Sequence, residues 1–170
     1  MINKQHEKDL YFMRIAREVS TQSHCLSRKI GSVLVRDNHL LSTGYSGPPK
    51  NIPHCEYRDD KGNYTSSIVD IKCPRQRMGF RSGEGLDNCP SVHGEANSIV
   101  QAARFGVSVE GAILYCFCNI PCIACSKEII NAGIKRVVCL CLEEYQKGIK
   151  SAELFNFAGV QLDVVEERER

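Results

Sequence analysis

The sequence is short of several features that would direct its reading elsewhere. It has no excess of one charge: 22 lysines and arginines stand against 20 aspartates and glutamates, a formal net charge of +2. Bulk electrostatic attraction to a polynucleotide therefore has no footing in the composition. No apolar run approaches the roughly 20 residues that a membrane-spanning helix needs. The start, Met1-Ile2-Asn3-Lys4-Gln5-His6, leads into a charged amphipathic stretch and lacks the apolar region of a secretory signal. No internal repeat or low-complexity tract is visible. Only one Cys-x-x-Cys occurs, whereas a zinc ribbon wants two. A chain of 170 residues suits one domain with a real core and is short for two, so residues 1–170 are expected to form a single domain.

Cysteine, by contrast, is plentiful, with ten copies. Without a signal segment these thiols read as metal ligands and small core residues in a reducing cytosol, so a cytoplasmic location is expected. Two short stretches organise the chain: His93-Gly94-Glu95 and Pro121-Cys122-Ile123-Ala124-Cys125. One imidazole and two thiolates suit zinc, and three protein ligands leave the fourth tetrahedral position for water. Glu95, two residues from His93, is placed to exchange protons with that water. A redox pair alone would explain neither His93 nor Glu95. His-x-Glu followed by Pro-Cys-x-x-Cys is the signature of the zinc nucleobase deaminases.

Periodicity predicts a helix from about His6 to Gln22, with Leu10, Met13, Ile15, Ala16 and Val19 as its apolar stripe. Strands follow at Ile30 to Val35 and His39 to Tyr45, joined as a hairpin through Arg36-Asp37-Asn38. A helix is predicted from Gly94 to about Phe105 on Ala96, Ile99, Val100 and Ala103, and a two-sided strand from Gly111 to Cys118. The next helix starts with Pro121 in its first turn and carries Ile129, Ile130 and Ala132. A strand from Lys135 to Leu142, a short helix from Ser151 to Phe157 and a strand from Val160 to Val165 complete the order. Cys116, Cys118, Cys139 and Cys141 alternate at period two and are read as core packing. This order argues an α/β fold, a three-layer αβα sandwich with a five-stranded mixed sheet and helices on both faces.

From Ser46-Gly47-Pro48-Pro49 to Pro90 the pattern is lost, which marks an insertion at about residues 56–90. Cys25, Cys55, Cys73 and Cys89 could hold a second, structural zinc that orders it, with His54 as a substitute ligand. Arg75, Arg77 and Arg81 are candidates for phosphate contact, since a guanidinium grips phosphate in a bidentate fork.

From about Tyr11 to Val164 the chain resembles the deoxycytidylate (dCMP) deaminases of the cytidine deaminase-like superfamily. The resemblance is carried by Ser27 to Val33, Ser42 to Pro48, Ile52-Pro53-His54-Cys55, His93 to Ile99, Pro121 to Cys125 and Asn131 to Lys135. It implies zinc-dependent conversion of dCMP to dUMP with release of ammonia, supplying dUMP for thymidylate synthesis. It also implies a homo-oligomer, a hexamer in many members, with dCTP and dTTP as effectors and Mg2+ accompanying those nucleotides. A second zinc between Cys25 and Cys89 fits the resemblance too. Two positions depart from the pattern: Gly94 stands where the family has alanine, and Ser46 where it has an asparagine that touches base and sugar. Ser46, Asn97 and Tyr145 are therefore the substrate-contact candidates, with Tyr145 suited to stack on the base. In this reading Glu95 passes a proton from water to N3 of cytosine, attack falls on C4, and Glu95 then protonates the leaving amine. Alternatives are deamination of another free nucleotide or nucleoside such as dCTP or cytidine, polynucleotide editing, and a silent zinc protein that senses nucleotides. No polynucleotide or membrane partner is expected.

Overall fold

The computed structural model describes residues 4–81, 84–140 and 149–166. Its elements run α1 (Lys4–Ser20), β1 (Gly31–Arg36), β2 (His39–Tyr45), α2 (Pro74–Arg77), α3 (Gly94–Arg104), β3 (Ile113–Phe117), α4 (Ile123–Asn131), β4 (Arg136–Leu140), α5 (Ile149–Phe157) and β5 (Gln161–Val165). The five strands form one sheet in the order β2-β1-β3-β4-β5. β1 is antiparallel to β2 and β3, while β3, β4 and β5 run parallel, so the sheet is mixed.

Period-two alternation sorts the strand residues between two cores. Val33, Val35, Tyr115, Val138 and Leu140 meet Phe12, Met13 and Ala16 of α1. Leu34, Leu114 and Val137 face the other way, against Ala102 of α3, Ile129 of α4 and Phe155 of α5. The layers are thus α1, sheet, and α3 with α4 and α5. The hairpin turn rests on Asp37 and Asn38, both with positive φ (51° and 64°), as a tight two-residue connection requires.

Several boundaries shift from the sequence expectation. Pro121 lies outside α4, and Cys122 is the N-cap with extended backbone (φ −66°, ψ 164°). On α3, Val100 and Ala103 point outward, while Glu95, Ala96, Ser98 and Ala102 are buried. The rotation has a cause in backbone packing. Gly44 of β2 lies so close to α3 that a Cβ there would collide with Ser98 N and Gly94 O. At Gly94 a Cβ would stand 3.0 Å from Ile30 O and 3.1 Å from Gly44 O, so the glycine lets the start of α3 sit against the sheet. Ser32 Oγ donates to Gly94 O at 2.7 Å and fixes the same approach.

Residues 48–91 leave the sheet and return, and their ends are clamped by a bridge between Gly47 and Val92 (Gly47 N to Val92 O 3.1 Å, Val92 N to Gly47 O 2.8 Å). Within the described part, order comes from short 3-10 turns at Cys55–Tyr57 and Leu86–Asn88 and from α2. Arginines stitch these together. Arg58 donates to Gly62 O and to Asn88 O and lies 5.2 Å over the Tyr64 ring. Arg75 donates to Glu84 O, and Arg77 donates to Arg58 O and pairs with Asp60 at 2.9 Å. Arg75 and Arg77, two of the phosphate-contact candidates, thus make contacts within the insertion, and Arg81 is exposed.

Candidate active site

The carboxyl end of β3 lies against the starts of α3 and α4, the position in an α/β sheet where ligands bind. His93 caps α3 with extended backbone (φ −71°, ψ 156°), and Cys122 does the same for α4. Cys125 follows within the first turn of α4 and is buried. His93 Nδ1 stands 3.5 Å from Cys122 Sγ and 3.5 Å from Cys125 Sγ. The edge between a nitrogen and a sulfur on tetrahedral zinc is about 3.6 Å, given Zn–N near 2.05 Å and Zn–S near 2.3 Å. The three donors thus fit a zinc ion in spacing as well as in chemistry.

Charge supports the same fit. The hydrogen bond from Cys125, with another from His93, pulls the Cys122 thiol well below its ordinary value. Donating that bond, and then burial, pushes Cys125 strongly up. The nearby Cys122 also raises His93. Two thiols this close cannot both ionise without a cation between them, and a divalent ion removes the conflict.

Glu95 is the second residue of α3 and only 1% exposed. Burial pushes its carboxyl up from the ordinary range, against the pull of His93. Its Oε1 lies 3.7 Å from Cys118 Sγ, and its Oε2 is buried with no hydrogen-bond partner among the described residues. A buried, unpartnered carboxylate oxygen is costly unless something else meets it. Cys118 is thus a correction: it lies one residue past β3 and touches Glu95 rather than packing in the core. Its only sequence signal was the alternation with Cys116, which gives the face but not the end of the strand. Asn119 Oδ1 beside it is also buried and has no partner among the described residues.

The other expected contacts differ. Ser46 is 1% exposed, and its hydroxyl accepts from Ile30 N (3.0 Å), donates to Arg28 O (2.9 Å) and meets Ser23 Oγ (2.8 Å). A hydroxyl has one proton and two lone pairs, so these partners saturate it. Ser46 holds the 23–30 loop, so the hydroxyl expected to face the substrate is engaged within the chain. Ser46→Ala should strip Ile30 N–H of its partner and destabilise the fold by about 1–3 kcal/mol. Urea denaturation would check this, alongside a ratio of kcat/KM values for two cytosine substrates that stays at the wild-type figure. Asn97 Nδ2 donates to Tyr45 O at 2.7 Å. Tyr145 falls outside the described residues.

Cys25 and Cys89 are half-buried, Cys55 and Cys73 buried, and all four are free. They converge on Cys55, whose thiol burial and then the charges of Cys89, Cys25 and Cys73 push up to about 11. Among the described residues, the groups of three or more donors within 4.8 Å of one another are His93, Cys122, Cys125 and Glu95, Cys116, Cys118; the insertion cysteines are spaced more widely. His54, next to Cys55, packs its ring against His24 (ring centroids 4.6 Å apart, tilted by 31°), and its buried Nδ1 has no partner among the described residues.

Residues 6–141 match the family profile described as the cytidine and deoxycytidylate deaminase zinc-binding region. The chain is 37% identical over 154 residues to a deoxycytidylate deaminase of Schizosaccharomyces pombe, which covers 91% of this chain and 42% of that protein. It is 31% identical over 152 residues to the deoxycytidylate deaminase of Saccharomyces cerevisiae, covering 89% of this chain and 43% of that one. The chain thus spans less than half the length of these two yeast relatives. A deoxycytidylate deaminase of Mycobacterium phage D29 is 34% identical over 135 residues, covering 76% of this chain and 91% of its own. In fold, the chain is similar to the dCMP deaminase of cyanophage S-TIM5, solved in complex with dCMP and dUMP. That likeness has a TM-score of 0.67 at 22% identity and covers 97% of this chain and all of the other.

Proposed function

The chain belongs to the cytidine and deoxycytidylate deaminase zinc-binding family, and from that premise we propose that it deaminates dCMP to dUMP, releasing ammonia. One observation carries the reading: Glu95, buried and with Oε2 unpartnered, sits at the start of α3 within electrostatic reach of His93, Cys122 and Cys125. A purely structural zinc site has no use for that carboxylate.

His93, Cys122 and Cys125 would hold the zinc. When bound, zinc supplies a Lewis acid that brings the ionisation of water near neutral pH. Glu95 takes the proton of the attacking water and passes it to N3 of cytosine, which makes C4 electrophilic. It then delivers a proton to the amine as the C4–N bond breaks, so one water is consumed and one ammonia leaves. Burial around Glu95 keeps bulk water from competing for that proton. Asn97, fixed by its bond to Tyr45 O, is proposed to contact the nucleotide, and Tyr145 to stack on the base.

Cys25, Cys55, Cys73 and Cys89 are proposed to hold a second zinc, with His54 as the alternate ligand. The convergence of the other three thiols on Cys55 supports this, as does the orphaned Nδ1 of His54. Closing such a site draws the four sulfurs together and would tie the insertion to the loop before β1. Metal analysis of protein purified with zinc and reductant should give about two equivalents per chain. A persistent single equivalent would leave these cysteines as packing.

We extend the proposal to a single deaminase domain with its insertion, working in the cytoplasm as a homo-oligomer, a hexamer by family likeness, with dCTP and dTTP as effectors and Mg2+ accompanying them. No described helix is long and apolar enough to cross a membrane. The test is a substrate panel of dCMP, dCTP, CMP and deoxycytidine, each with and without dCTP or dTTP and Mg2+, scored by ammonia release. A clear preference for dCMP supports the reading; a preference for dCTP or a nucleoside moves it to that substrate.

A further inference from the structure

Glu95 has a second set of neighbours that deamination does not use. Cys116 lies on β3 and Cys118 just past its end, and alternation turns both toward the α3 and α4 face. A backbone bond from Cys118 N to Cys116 O (2.8 Å) tightens the chain between them. The two sulfurs stand 2.8 Å apart, and Cys118 Sγ is 3.7 Å from Glu95 Oε1. Together with Glu95 they form the second three-donor group within 4.8 Å, separate from the zinc donors.

We propose that Cys116 and Cys118 form a chelating site for a neutral trivalent arsenic hydroxide, and that filling this site disables Glu95. The sulfur spacing is the first reason. It is shorter than the edge of about 3.8 Å that two thiolates take around tetrahedral zinc. It is longer than a disulfide bond of about 2.05 Å. The two thiols are adjacent on one side of the chain, close enough that a single trivalent atom can bond both once the sulfurs part slightly. Protonation is the second reason. The hydrogen bond from Cys116 pulls the Cys118 thiol down, but burial and the Glu95 charge outweigh it and push it to about 11. Burial likewise raises Cys116, which is 0% exposed. Thiols held protonated react poorly with peroxides and resist cations that must displace their protons. Arsenous acid needs no thiolate. Two S–H and two As–OH bonds break, two As–S bonds form and two waters leave, with arsenic staying trivalent and no net charge added. The third reason is the remaining As–OH. It would stand beside a carboxylate whose Oε2 has no partner among the described residues, and an O–H donor there satisfies it. Glu95 would then be engaged and unable to carry protons.

The experiment treats zinc-loaded protein with arsenite and, separately, with phenylarsine oxide. It measures arsenic and zinc per chain, locates arsenic by mass spectrometry of the peptide spanning Ile113 to Cys118, and follows deamination of dCMP. The expected result is one arsenic bridging Cys116 and Cys118, with zinc retained. Turnover should fall by roughly a hundredfold or more, the lower end of what acid–base catalysis contributes, and recover with 2,3-dimercaptopropanol. Cys116→Ala and Cys116→Ser should keep deaminating and lose both the bridge and the inhibition. Arsenic on Cys122 and Cys125 with release of zinc, arsenic confined to the insertion cysteines, or equal inhibition of both Cys116 variants would overturn the proposal. The mapping uses the wild-type chain, so it holds even where a variant fails to fold. Only the activity arm rests on the deaminase reading: a bridged peptide in a chain that never deaminated supports the site and sinks that reading alone.

Discussion

Glu95→Gln is expected to keep zinc and the fold while losing about two to four powers of ten in turnover, the usual worth of a general acid–base group. The amide matches the carboxylate in shape. The described side-chain contact of Glu95 is the Cys118 thiol at 3.7 Å, and an amide oxygen can accept that contact as well. What the amide lacks is a site for the travelling proton. Burying a carboxylate at 1% exposure with one oxygen unpartnered costs stability, so the variant should melt at the wild-type temperature or above it. Zinc content, melting temperature and ammonia release need to be read on the same preparation. Turnover at the wild-type level in a zinc-loaded variant would remove Glu95 from proton transfer.

Arg136→Met should destabilise the fold by about 3–5 kcal/mol, the usual cost of stripping one partner from a buried ion pair. Arg136, on β4, donates Nη1 to Asp9 Oδ1 and Nη2 to Asp9 Oδ2, both at 2.8 Å, and Nε to Asp163 Oδ2 at 2.5 Å. The side chains of Arg136 and Asp9 are 11% and 5% exposed, so solvent screens this fork little. Tyr115 Oη and Gln5 Nε2 also donate to Asp9, each at 2.9 Å. The network ties α1 to three strands on the face away from the zinc donors. Burial pushes the Asp9 carboxyl up, but the hydrogen bonds of Arg136, Gln5 and Tyr115 outweigh it and leave it below the ordinary value. A carboxylate depressed in the folded state adds stability above its unfolded value, about 3.9, and loses it as pH falls through the folded value. The gap between wild type and Arg136→Met should therefore be full at neutral pH and shrink below about pH 4. Urea midpoints across that range give the comparison; a gap that is small at pH 7, or that widens on acidification, contradicts the assignment.

That network was invisible in the sequence, and the reason is physical. Asp9 and Arg136 are 127 positions apart, and no periodicity pairs them. The α1 stripe read from Leu10, Met13, Ile15, Ala16 and Val19 found two buried residues, Met13 and Ala16, but omitted Phe12 and the buried polar Asp9. Apolar pattern is blind to a charge that is buried because it is paired. Where alternation and turn chemistry act locally, the reading held: β2 runs from His39 to Tyr45 as expected, and the hairpin and the five-stranded mixed sheet follow. The grouping of His93, Cys122 and Cys125 was legible because their spacing is that of a metal-ligand set, and the structure brings the three donors within 4.8 Å of one another. The loop closure that Ser46 makes with Ser23, Arg28 and Ile30 was not legible, because family comparison at one position does not reveal such contacts. Cys118 was misread because alternation cannot say where a strand stops.

The most direct test of the account is the fate of dCMP with the folded, zinc-loaded chain, measured as dUMP and ammonia together. The account predicts the two products in equal amounts, their loss when a chelator removes zinc, and their return when zinc is restored. A folded chain with zinc bound that yields neither product from dCMP, nor uracil products from dCTP, CMP or deoxycytidine, would contradict it.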